Sequence, residues 1–118
     1  MNWLEYQINK NPDKLFIKEG FRSYSYLNIY DMVKVYSRSL TSLGVKPKDK
    51  IVICLPSGME MVEVILACFD IGLIAVPIST HLSQDEYQSI IDKIKPMMII
   101  TNWEGKKIFL KFSYLISF

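Results

Sequence analysis

Three apolar, β-branched-rich runs constrain this chain most: Ile51–Leu55, Leu73–Ile78 and Met97–Thr101. Ile51, Ile74 and Met97 are spaced at equal intervals of 23 residues, close to the minimum for strand, turn, helix and turn. Continuous apolar runs of this length fit strands buried on both faces of a parallel sheet. Between the first two runs, Ser57-Gly58-Met59-Glu60 has the Ser-x-x-Glu form of a capping box, and Gly72 closes the apolar stretch that follows. Between the second and third, Ser83-Gln84-Asp85-Glu86 repeats the pattern and opens a helix toward Ile94, with Pro96 as punctuation. Strands joined by single helices are expected to be parallel, adjacent and connected right-handedly. The fold class is therefore α/β, a partial doubly wound sheet.

The region ahead of this unit reads as a prefix to it. Residues 2–10 suggest a short helix that stops before Asn11-Pro12-Asp13, because proline disfavours the α region for the residue before it. Lys14–Lys18 and Phe21–Ser25 then read as a hairpin turning at Glu19-Gly20. From Tyr26 the apolar positions Ile29, Val33, Tyr36, Leu40 and Leu43 follow in steps of 3 and 4, one stripe of an amphipathic helix that Gly44 ends.

Composition narrows the function classes. With 118 residues, half of them hydrophobic, the chain can build a core without metal or disulfide support. Residues 1–104 hold 11 Lys and Arg against 12 Asp and Glu, so the net +2 comes from Lys106, Lys107 and Lys111. A near-neutral body argues against a nucleic-acid partner, whose binding draws on many phosphate contacts. Cys54 and Cys68 lie in apolar runs without metal-ligand spacing and read as core thiols in a reducing compartment. Neither a secretory signal nor a membrane span is expected, since the most apolar stretch, Val64–Gln84, contains Asp70, Gly72 and Pro77. The expected location is cytoplasmic.

Few residues offer chemistry. No glycine-rich phosphate motif of either common type occurs. Ser57-Gly58, at a helix start after a strand, is one candidate anion cradle, although capping alone explains Ser57 and Glu60. His81, the single histidine, falls in the loop after the second strand, at the carboxyl edge where open α/β sheets place ligands. It would need an orienting carboxylate to act as a base; Asp85 and Glu86 are near in sequence, and Glu86 is better used in capping. Ser57 lacks the elbow of a hydrolase nucleophile. No catalytic, cofactor-binding or metal-binding residue is assigned.

Beyond Thr101 the strand–helix pattern lapses. Residues 106–118, KKIFLKFSYLISF, have apolar and aromatic side chains on every face. Either they form a further strand or amphipathic arm, or they are sequence not shaped by a fold, as in a chain ended early or out of frame; the second reading is favoured.

Taken in order, the segments resemble the N-terminal region of the adenylate-forming, AMP-binding superfamily. The matching blocks are Asn11-Pro12-Asp13-Lys14, Tyr24–Ile29, Leu43–Ile53, Leu55–Glu60 and Gly72–Ile78 continuing through Leu82–Glu86, together covering residues 1 to about 103. Asn28 stands where the family usually has an acidic residue and Ser57 where it commonly has Asn. Ala75-Val76-Pro77-Ile78-Ser79-Thr80 fits the acyl-CoA ligase branch better than the peptide-synthetase adenylation domains. The resemblance implies a parent enzyme that activates a carboxylate with ATP and Mg²⁺ as an acyl-adenylate, releases pyrophosphate, and passes the acyl group to coenzyme A, in a setting such as fatty acid metabolism. The family's phosphate loop, ribose-binding Asp and C-terminal Lys lie downstream of the matching blocks, so no family catalytic residue transfers to this chain. The expected organisation is an N-terminal subdomain over 1–104 and a divergent basic, aromatic tail over 105–118, inactive alone and prone to self-association through uncovered apolar surface. The alternative is a small stand-alone α/β binding or interaction module with the tail as its contact arm.

Overall fold

The computed structural model describes the backbone of residues 2–11, 13–19, 22–103, 106–111 and 116–117, and the side chains of residues 5, 6, 8–11, 13, 14 and 23–101. Helix α1 (Asn2–Lys10) leads into the antiparallel pair β1 (Leu15–Glu19) and β2 (Arg22–Ser25). The hairpin turn expected at Glu19-Gly20 falls partly outside the described residues. Helix α2 (Tyr26–Ser42) follows at once, and its apolar stripe buries Ile29, Val33 and Leu40. Leu43 is the C-cap and Gly44, one position further on, takes φ +90°, the left-handed conformation in which glycine pays no side-chain penalty.

The main sheet contains β3 (Lys50–Cys54), β4 (Ile74–Pro77), β5 (Met98–Trp103), β6 (Lys106–Lys111) and β7 (Ile116–Ser117) in the spatial order β4-β3-β5-β6-β7. The three expected strands are parallel: Ile51 pairs with Ala75 on one side and with Met98 on the other. Sequential adjacency fails at one step, because β5 lies beside β3 and not beside β4. Ile51, Val52 and Ile53 have no exposed surface, so β3 takes the centre, where full burial of each such side chain is worth about 1.5–3 kcal/mol. Strand β4 is half-covered and ends in Pro77, which has no N–H for a ladder, so it suits an edge.

Strand order then fixes where the helices sit. Helix α3 (Met59–Asp70) links β3 to β4 and α4 (Gln84–Ile94) links β4 back to β5, in opposite directions across the sheet. Right-handed connections put such helices on opposite faces. The core divides accordingly. Ile51, Ile53, Met98 and Ile100 pack with Val64, Ala67 and Cys68 of α3 and with α2, whereas Val52 and Ile99 pack with Ile91 of α4.

Two further expectations are corrected. Ser57 does not cap α3: the N-cap is Gly58, at φ 158° and ψ −171°, with no side-chain cap hydrogen bond. That backbone conformation is open essentially to glycine alone, and it starts the helix one residue later than a Ser57–Glu60 box requires. Residues 106–111, favoured as unshaped sequence, instead form β6, antiparallel to β5 with Thr101 opposite Ile108. The further-strand alternative is the one the backbone adopts.

Candidate functional site

Open α/β sheets place ligands beyond the carboxyl ends of their strands. Strands β3 and β4 end side by side there. Their ladder runs to Ile53 opposite Pro77, and the Ile78 N–H still donates to the Ile53 carbonyl at 2.9 Å. Beyond that point the chains separate around an open cleft of about 480 Å³. The β3 side contributes Pro56 and Ser57, together with Met61 from the first turn of α3. The β4 side contributes Ser79, Thr80 and His81. Ser57 of the Ser57-Gly58 candidate and His81, read separately from the sequence, thus border one cleft.

Local chemistry on the β4 side is explicit. The His81 N–H donates to Ser79 Oγ at 3.0 Å, a short side-chain turn that sets the exposed imidazole at the rim. Glu86 does not serve His81. Its N–H donates to Ser83 Oγ at 3.1 Å while its Oε1 accepts from the Ser83 N–H at 3.3 Å, the reciprocal capping box expected for α4. Asp85 is exposed in the first turn of the same helix. Among the described residues no carboxylate contacts the imidazole, and no group of three His, Cys, Asp or Glu side chains is placed to hold a metal ion.

On the β3 side, the lack of a side-chain cap leaves the first amides of α3 without that partner, and the positive end of the helix dipole points the same way. The cleft can therefore receive an anionic or strongly polar group. It lacks an assembled nucleophile, since among the described residues no hydrogen bond joins Ser57 to His81. Cys54 ends β3 beside the cleft, its thiol donating to the Ser79 carbonyl at 3.7 Å; burial pushes that thiol's pKa up, so it is held as a thiol. Cys68, buried in α3, is pushed up to about 12 by burial alone.

A polar cluster elsewhere left no mark that local reading could find. Asp70, whose side chain is 5% exposed at the end of α3, accepts from Lys34 Nζ at 3.1 Å and from Ser37 Oγ at 2.9 Å, both on α2. Burial alone raises the Asp70 pKa, but hydrogen bonds to the carboxylate, those of Lys34 and Ser37 among them, outweigh it and hold the group below its ordinary value. Lys34 also approaches Glu5 of α1 at 3.9 Å, so three helices meet on one ammonium. This cluster ties helices together and faces away from the cleft chemistry.

Comparison with known proteins gives the arrangement a family. A model of the family described as AMP-binding enzyme matches residues 4–113, which includes β6 and reaches beyond the blocks read from the sequence. The 2-succinylbenzoate–CoA ligase of Bacillus mycoides is 30% identical over 103 residues, covering 87% of this chain and 21% of the ligase. That of Bacillus thuringiensis subsp. konkukian is 29% identical over 109 residues, 91% of this chain and 23% of the ligase. Among solved structures, unliganded O-succinylbenzoate coenzyme A synthetase from Bacillus subtilis superposes with a TM-score of 0.81 at 23% identity, over 89% of this chain and 23% of that one. The fatty acid AMP ligase from Legionella pneumophila gives 0.76, also at 23% identity, over 85% and 19%. This chain thus spans about a fifth of the length of the curated relatives it matches. The α/β order, the parallel β4-β3-β5 arrangement and the family match over nearly all of the sequence agree: the chain belongs to the AMP-binding enzyme family.

Proposed function

We infer that this chain serves as the N-terminal subdomain of an AMP-forming acid–CoA ligase, a scaffold that does not adenylate by itself. The observation that carries the reading is the match to the AMP-binding family over residues 4–113 together with a fifth of the relatives' length. In such a ligase the carboxylate attacks the α-phosphorus of ATP with Mg²⁺ present, pyrophosphate leaves, and the thiol of coenzyme A displaces AMP from the acyl-adenylate. Electrostatic stabilisation of the phosphoryl charge is the main demand of the first step. Neither Ser57 nor His81 meets it, for among the described residues no lysine or arginine lines the cleft they border.

The substrate reading follows the relatives. Two 2-succinylbenzoate–CoA ligases favour an aromatic dicarboxylate over a fatty acid as the acid activated by the whole enzyme. Residues 1–104 carry the scaffold role, and β6 (Lys106–Lys111) extends its sheet. The test is 2-succinylbenzoate-dependent ATP–pyrophosphate exchange by the purified 118-residue chain. No exchange above background is expected, and robust exchange would overturn the assignment of the chemistry to parts of the enzyme outside this chain.

A further inference from the structure

The edge of the sheet opposite the candidate cleft is strongly basic. Residues 46–50 lead into β3 and residues 93–97 lead from α4 into β5, and the Met97 N–H donates to the Lys50 carbonyl at 2.8 Å, which holds the two segments side by side. Between them lies a cleft of about 460 Å³. Lys48, Lys50, Lys93 and Lys95 all line it, all are exposed, and none has a carboxylate within 4 Å among the described residues. Asp49 lines the same cleft and offsets part of this charge, while Asp92 lies near it on α4. Asp49 accepts from the Lys46 N–H at 2.8 Å, and Asp92 accepts from Gln88 Nε2 at 2.8 Å. In a body whose charges nearly cancel, four ammonium groups against the single carboxylate of Asp49 around one hollow leave a net positive field.

Backbone conformation supplies an independent observation. Among the described residues only two non-glycine positions have positive φ, Lys48 at 75° and Lys95 at 50°. Both line this cleft, on separate segments. Glycine or asparagine would adopt those conformations at lower cost, so each position keeps a lysine against local preference. The carboxyl end of α4 accounts for Lys93 in its last turn and for Lys95 at its left-handed C-cap, but not for Lys48 and Lys50, which belong to another segment. The floor is apolar, with Pro96 buried and Met97 partly exposed.

We propose that this amino-edge cleft is a binding site for a small, multiply charged phosphate anion, an oligophosphate group whose negative charge Lys48, Lys50, Lys93 and Lys95 share. The proposal does not rest on the ligase reading. Coulombic attraction among exposed groups makes such binding sensitive to salt.

Equilibrium dialysis of the 118-residue chain against sodium tripolyphosphate tests it, with two double variants. Lys50→Gln/Lys93→Gln removes charge without touching the positive-φ positions, and Lys48→Gly/Lys95→Gly removes charge while relieving them. Circular dichroism checks that each variant is folded, so failure of one leaves the other decisive. The expected result is saturable binding of tripolyphosphate that weakens at least fivefold in either double variant, weakens with added NaCl, and changes less than twofold in a Lys10→Gln/Lys14→Gln control. Absence of binding at millimolar tripolyphosphate would overturn the proposal, as would equal weakening in the control. Phosphatidylserine–phosphatidylcholine vesicles form a second arm: retention on vesicles without tripolyphosphate binding would mean a lipid surface and would also overturn it.

Discussion

Asp70 shows how much a single residue holds. Its carboxylate is nearly removed from water and yet stays ionised, because Lys34 and Ser37 donate to it across the α2–α3 contact. Replacing it with Asn leaves Lys34 with a neutral partner there and only the longer 3.9 Å contact to Glu5. Thermal or urea unfolding is expected to show a loss of about 1–3 kcal/mol for Asp70→Asn. The sign with pH follows from the lowered pKa. Unfolded Asp titrates near about 3.9, so the contribution is fully present above that value and is lost as pH falls through the lower folded value. The difference between wild type and Asp70→Asn should therefore shrink as pH falls below about 4, and a gap that stays constant or widens on acidification would contradict the account. Cysteine reactivity is a second check at this scale. Native-state alkylation should label the half-buried Cys54 well before Cys68, whose pKa of about 12 and full burial leave almost no accessible thiolate. Neither the cluster nor this ranking was legible in the sequence, because Lys34 and Asp70 are brought together across 36 residues by packing alone.

Elements were read well where the signal is local. The hairpin, the α2 stripe, three parallel strands and the Ser83–Glu86 box all follow from periodicity and cap chemistry within a few residues. One box was over-read and another missed. Ser57-x-x-Glu60 has the right letters, but Gly58 intervenes in a conformation that shifts the helix start. Ser25 and Asn28 form a working reciprocal box in which Asn replaces the usual Glu or Gln: the Asn28 N–H donates to Ser25 Oγ and the Ser25 N–H to Asn28 Oδ1, each at 3.1 Å. Alanine substitution separates the three. Ser25→Ala and Ser83→Ala should each cost about 1 kcal/mol, while Ser57→Ala should fall within about 0.5 kcal/mol of wild type, measured by chemical denaturation. A Ser57→Ala loss equal to that of Ser83→Ala would restore the capping reading. The order of strands was harder to read. Hydrophobicity marks β3, β4 and β5 alike, and only Pro77 and the partial cover of β4 indicate which of them is the edge.

At the scale of the whole molecule, the 23-residue spacing implied a doubly wound unit, and the family match gives that unit a context. The cleft beyond the carboxyl ends of β3 and β4 was partly legible, since Ser57-Gly58 and His81 both follow strands in the sequence. The basic amino edge was not, because its lysines are dispersed between residues 48 and 95. Phe69, Ile74 and Val35 are 61%, 46% and 48% exposed, and β4 pairs on one side only among the described residues. Exposed large apolar side chains on the helices and an open strand edge each favour association. Sedimentation velocity is expected to show the 118-residue chain's mean mass rising with concentration, and a single monomeric species at all concentrations would contradict this. The central claim is that the chain supplies the N-terminal subdomain of an acid–CoA ligase. It is tested most directly by replacing the aligned segment of Bacillus subtilis O-succinylbenzoate coenzyme A synthetase with residues 1–103 and measuring 2-succinylbenzoyl-CoA formation. A soluble chimaera that forms the thioester above background is the result predicted, and a soluble, folded chimaera with none would contradict the claim.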